Sequence, residues 1–181
     1  MIYIALLRGI NVGGKNKIKM ADLKEALENR GFKRVKTYIQ SGNVLFESEK
    51  DERTLAAEIE EEINTSFGIA LKVMLRTAQE LEDLIVNSPF AHRELSDGES
   101  LHVSLLGEPL TEEQIHKIDQ SEKGNDEFAV IGRDVYFHFR QSILDSKLGG
   151  ALDKLKIPST SRNWNTMNKL NALAQEMKQQ S

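Results

Sequence analysis

The chain has 181 residues, 39% of them hydrophobic and 29% charged, with no cysteine and a formal net charge of -4, the composition of a folded globular protein. Without cysteine there are no disulfides, no thiol catalysis and no thiolate metal site, and no apolar run reaches the roughly 18 residues of a membrane-spanning helix. A chain of this length forms one domain or two small ones and buries roughly 70% of its unfolded surface.

Ile2 to Leu7 reads as the first strand, followed by a loop rich in glycine and lysine. A helix is predicted from about Met20 to Arg30, with Leu23, Ala26 and Leu27 on one face and Gly31 placed to end it in the left-handed conformation. Val35 to Gln40 and Val44 to Glu47 are predicted as an antiparallel hairpin around Ser41, Gly42 and Asn43, with Gly42 and Asn43 at the centre of the turn. A helix from Glu52 to Ser66, burying Leu55, Ile59 and Ile63, and a strand from Ala70 to Leu75 complete the order strand, helix, strand, strand, helix, strand. That is the split βαβ unit of the ferredoxin-like fold.

The second half repeats the order. Thr77 with Glu80, and Thr111 with Gln114, have capping-box spacing and open helices that pack through Leu81, Leu84 and Ile85, and through Ile115 and Ile118. The strand Leu101 to Leu106 lies between them. Phe128 to Ile131 and Val135 to Phe139 form a second hairpin about Gly132 and Arg133. A short helical segment spans Lys147 to Leu155, Pro158 marks a break, and a last helix is expected from Arg162 to Lys178, with Ser159, Thr160 and Ser161 as hydroxyl caps at its start. The predicted fold class is therefore α+β, with two ferredoxin-like subdomains in tandem, residues 1–86 and 100–181. The linker 87–99, containing Pro89 and Gly98, is the expected hinge.

Charge is unevenly spread. Residues 1–46 carry nine lysines or arginines against three acids, residues 47–127 seven against twenty-one, and the remainder eight against four. A basic face on an acidic body would draw anionic ligands; solvated helix faces would leave the same pattern.

Gly9 to Lys15 satisfies the spacing GxxxxGK after a strand, as in a phosphate-binding loop. The match ends at Asn16, where the loop needs Ser or Thr to hold magnesium, and the helix begins too late for the lysine to sit on its first turn. A glycine loop needing positive backbone angles is the stronger reading. Arg8, Lys15, Lys17 and Lys19 nevertheless crowd this connection, and Lys17 and Lys19 alternate with Ile18 so that both point away from the buried side. Such a cluster suits phosphate contacts and equally suits a solubilising edge.

Tyr38 and Gln40, and Tyr136 and His138, would line the sheet face left uncovered by helices, where aromatics either stack bases or pack one subdomain on another. The signature octamer of RNA-recognition sheets is missing. Arg162 and Asn163 are ligand candidates at the start of the last helix, and Trp164 is a core anchor. His92, His102, His116 and His138 have no metal-ligand spacing, and no nucleophile is grouped with a base, so neither a metal, a cofactor nor a catalytic residue is assigned.

The stretches ALLRGINVGGKNKIKM, TYIQSGNVLFES, NSPF, GRDVYFHF, SKL and SRNWNTMNKL resemble, in wording and order, the bacterial family called Domain of Unknown Function 1697. The resemblance implies two ferredoxin-like subdomains and brings no activity with it. Its signature segments fall at Arg8 to Lys17, Tyr38 to Asn43, Gly132 to Asp134 and Arg162 to Asn165.

The expectation is a cytoplasmic, non-catalytic protein that binds a nucleic acid or a phosphorylated small molecule in one basic cleft fed by both halves. Arg8, Lys15, Lys17 and Arg162 would meet phosphates, the Asn11 to Gly14 loop, including Gly13, would offer backbone amides, and Tyr38, Gln40, Asn43 and Asn163 would orient the ligand. The competing classes are an enzyme acting on a small anionic substrate in that cleft and a self-associating or partner-binding module using a free strand edge.

Overall fold

The computed structural model describes residues 1–143 and 145–180. The chain divides into two compact units, Met1–Asp83 joined by the chain from Lys169 onward, and Leu84–Asn168. In the first unit the order is β1 (Ile2–Leu7), α1 (Met20–Asn29), β2 (Lys33–Tyr38), β3 (Asn43–Glu47), α2 (Glu52–Phe67) and β4 (Val73–Thr77), followed by α3 (Ala78–Val86). The second holds β5 (Ser100–Leu106), α4 (Glu112–Asp119), β6 (Glu127–Ile131), β7 (Asp134–Phe139), α5 (Lys147–Asp153) and β8 (Ser159–Asn163), and α6 (Trp164–Gln179) follows. Each unit has an antiparallel four-stranded sheet, ordered β2-β3-β1-β4 and β6-β7-β5-β8. These are two ferredoxin-like subdomains in tandem.

Alternation along β1 explains the first core. Tyr3, Ala5 and Leu7 point to one face, where Leu23 and Leu27 of α1 and Leu55, Ile59 and Ile63 of α2 cover them. Ile4, Leu6, Leu45 and Met74 on the opposite face are buried too. The second unit has its own cluster of Leu106, Ile118, Val135, Phe137, Phe139, Leu148 and Leu152.

Both capping boxes form: the Thr77 and Glu80 backbone N–H groups donate to Glu80 Oε1 at 2.9 Å and Thr77 Oγ1 at 3.1 Å, and Thr111 pairs with Gln114 in the same way. Three local expectations are corrected. The fourth strand is Val73–Thr77 rather than Ala70 to Leu75, because Gly68 ends α2 at φ 68° and the apolar Ile69 and Leu71 serve as a connector packed on the core. The first hairpin turns through Ile39–Gly42, and Asn43 already belongs to β3, opposite Tyr38. Ser159–Asn163 is not a run of helix caps but a strand, paired with β5 from His102↔Asn163 to Leu106↔Ser159.

The expected open sheet face does not exist at Tyr136 and His138. Tyr136 is 2% exposed and donates its hydroxyl to the Leu84 carbonyl at 2.7 Å. His138, equally buried, lies 3.0 Å from Glu99 Oε1 through Nε2 and 3.0 Å from Arg93 through Nδ1. Arg93 can only donate, so Nδ1 accepts and the ring's hydrogen sits on Nε2, directed at Glu99. These bonds, with Arg93 paired to Glu127, fasten the segment 87–99 to β6 and β7. No helix among the described residues is long and apolar enough to cross a membrane.

Candidate functional site

The loop from Arg8 to Lys19 carries most of the candidate residues, and its shape follows from its glycines and asparagines. Gly13 at φ 59° and Gly14 at φ 76° turn the chain back so that the Lys15 N–H donates to the Val12 carbonyl at 3.0 Å. Asn11 and Asn16 flank this turn, also at positive φ, and the Asn11 N–H donates to the Asn16 carbonyl at 3.1 Å. The Asn11 carboxamide ties three segments together: it donates to the Ile18 and Gln40 carbonyls at 3.0 and 2.7 Å and accepts from the Ile18 N–H at 2.9 Å. Asn16 donates to the Gly9 carbonyl at 3.2 Å. The side chain that breaks the phosphate-loop pattern thus closes the base of this loop.

A cavity of about 610 Å³ opens beside the loop, lined by Asn11, Gly14, Lys17, Ile18, Lys19, Asp22, Gln40 and Phe67. Four candidates meet here: Asn11, Gly14, Lys17 and Gln40. Lys17 and Lys19 are exposed on either side of Ile18, which is buried and anchors the segment to the core. Phe67 arrives by topology. Because β1 and β3 are antiparallel, the helices that follow them are antiparallel too, so the end of α2 comes beside the start of α1. A second recess of about 380 Å³ shares Asp22 and Phe67 and is lined by Glu25 and Glu62. The cavity thus sets Lys17 and Lys19 beside Asp22, and the recess sets Glu25 and Glu62 beside Arg30.

Other candidates fall elsewhere. Arg8, Gly13 and Lys15 are exposed on the same loop but do not line the cavity, and Tyr38 is half-buried at the end of β2. Asn43 is fully buried, donating to the Tyr38 carbonyl at 2.8 Å and the Ser41 hydroxyl at 2.9 Å, so it clamps the hairpin rather than facing a ligand. Asn11, with its carboxamide fully engaged, is likewise a clamp that shapes the cavity wall. Arg162 lies on β8, half-buried; its guanidinium donates to Thr160 Oγ1 at 3.0 Å and to the Ser161 carbonyl at 2.8 Å. Burial lowers it to about 10, so it remains cationic at neutral pH. Asn163 caps α6, its Oδ1 accepting from the Thr166 N–H at 2.8 Å, and Trp164 is half-buried.

Ile18, Lys19, Asp22 and Phe67 also line the cavity and are not among the ligand contacts expected from sequence. The alternation of Lys17, Ile18 and Lys19 contains the signal for Lys19, whereas Phe67 becomes visible only once the strand order is known. Among the described residues no group of three or more His, Asp or Glu is placed to hold a metal.

Fold and loop together define a tandem ferredoxin-like α+β protein with a lysine-lined cavity at the β1-α1 connection. The chain belongs to the family described as Protein of unknown function (DUF1697), which matches residues 1–136. The fold recurs in the solved structure of the conserved bacterial protein SP0830 from Streptococcus pneumoniae, at 27% identity and a TM-score of 0.78, covering 96% of this chain and 98% of that one. An unknown protein from Galdieria sulphuraria, at 11% identity and a TM-score of 0.23 over 90% of this chain and 96% of that one, is too distant to carry an argument. No curated protein matches the chain.

Proposed function

We propose that the first unit binds a phosphate-bearing ligand at the cavity beside the β1-α1 loop. The observation that carries this reading is the pair Lys17 and Lys19, exposed on either side of the buried Ile18 on the wall of a cavity of about 610 Å³. That volume is within the roughly 300–1,000 Å³ of small-molecule sites. Ile18 and Phe67 supply an apolar floor, Gln40 a carboxamide and Gly14 a backbone free of any side chain. A phosphorylated small molecule with a flat apolar part suits this lining.

Nucleic acid is the second reading, favoured by Arg8 and Lys15, which extend the basic surface of the same loop beyond the cavity. Burial of Tyr136 and His138 removes the second sheet's pair as a base-stacking surface.

Calorimetric titration with a nucleoside monophosphate and with a short single-stranded RNA tests both. Lys17→Ala with Lys19→Ala is expected to weaken the binding partner by roughly tenfold or more, since a hydrogen bond to a charged group is worth about 1.5–3 kcal/mol. Lys15→Ala is expected to weaken RNA but leave the monophosphate unchanged. Titrations indifferent to the Lys17 and Lys19 change would refute the site.

A further inference from the structure

β6 forms one edge of the second sheet. β6, with sequence EFAVI, is bonded on one side only, to β7. The direction of its backbone groups follows from the register. The Leu106 N–H donates to the Arg133 carbonyl at 2.9 Å, so the odd-numbered residues of β7 bond toward β5 and the even-numbered ones toward β6. Phe128 and Val130 lie opposite Phe137 and Val135. Their N–H and C=O groups therefore point outward, and among the described residues nothing pairs with them.

The equivalent edge of the first sheet is protected. β2 carries Lys33, Arg34 and Lys36, its register shifts between Lys33 and Lys36, and Arg34 sits at φ 55°. Charge and irregularity of this kind keep an edge from templating another strand. β6 has neither device. Its one charged residue, Glu127, is engaged by Arg93 and Arg140, and Ile131 is 42% exposed.

We infer that two copies of this chain associate through antiparallel β6–β6 pairing on a two-fold axis at Ala129. In that register Phe128 of each copy stands opposite Val130 of the other, and both residues present their outward groups, so each of the two pairs exchanges both bonds and four hydrogen bonds form. Ala129 meets its own copy at the non-hydrogen-bonded position, where Cα atoms approach to about 4.5 Å and a small side chain fits. Glu127 falls opposite Ile131, so no like charges meet. The phobic side chains of Phe128 and Val130, which already pack against the core of their own unit, continue that layer across the axis.

Sedimentation velocity on the full chain should show a monomer–dimer equilibrium over roughly 10 μM to 1 mM, the range of a small interface. Ala129→Lys and Ala129→Glu, each placing like charges face to face, should raise the dissociation constant by roughly tenfold, and mixing the two variants should restore or exceed parental association. Recovery in the mixture also shows that both variants are folded. A parent chain that stays monomeric over this range, or an unrecovered mixture, overturns the proposal.

Discussion

The Asn43 carboxamide is buried and spends both its N–H groups on its own hairpin. Removing it leaves the Tyr38 carbonyl and the Ser41 hydroxyl without that donor in a place water does not reach easily. Asn43→Ala is expected to cost about 1–3 kcal/mol in urea unfolding, with the slope unchanged; a variant as stable as the parent would take this role away. Gly42 beside it was legible from sequence: it adopts φ 89°, and a Cβ there would stand 2.6 Å from Ile10 Cδ1. Asn43 was not. Asparagine favours the centre of a turn, and its place in β3 rests on long-range pairing such as the Leu7 N–H bond to the Gly42 carbonyl, 2.9 Å long, between residues 35 apart in sequence. Asn11 has the look of a ligand group in the sequence, because a polar side chain in a glycine loop does not announce that its partners are Ile18 and Gln40.

Among the elements, helices with a clean apolar stripe were readable: Leu55, Ile59 and Ile63 are the buried face of α2, as their spacing demands. β8 was not, because Ser159, Thr160 and Ser161 carry no apolar alternation and only pairing with β5 makes them a strand. Pro89 and Gly98 mark the segment 87–99 as a linker in the sequence; its fastening to β6 and β7 is electrostatic and has a pH consequence. Hydrogen bonds from Arg93 and Arg140 hold the Glu127 carboxyl below its ordinary 4.5, and the Ser96 backbone N–H, with His138, does the same for Glu99. A carboxyl with a depressed folded-state pKa contributes stability that is fully present above its unfolded value and is lost as pH falls through the folded one. Stability should therefore decline as pH drops below about 4.5, and Glu127→Gln should flatten that decline while lowering stability at neutral pH. Parallel acid-unfolding curves for parent and variant would exclude Glu127 as a source.

At the scale of the whole molecule the two subdomains share one strand order but differ in how the chain closes them. α6 begins in the second unit, and from Lys169 onward it belongs to the compact unit of residues 1–83. Leu170, Ala174 and Met177 on this half are buried, Gln175 lies within 3.5 Å of Glu82, and Arg34 donates to the Met177 carbonyl at 2.7 Å while pairing with Glu47 at 3.3 Å. A guanidinium at a helix C-terminus satisfies a carbonyl that the helix itself leaves open and opposes the negative end of its dipole. The irregularity of β2 that puts Arg34 at positive φ thus bonds the last helix to the first sheet. A truncation at Asn168 removes Leu170 and Met177, whose burial is worth roughly 1.5–3 kcal/mol each, together with the Arg34 bond. The first unit should lose the most, even though the cut lies 85 residues beyond Asp83 in the sequence. Hydrogen exchange should show the amides of β1, β2 and β3 losing protection; a truncated chain whose residues 1–83 exchange as in the parent would mean that this half of α6 contributes no stability to the unit it joins.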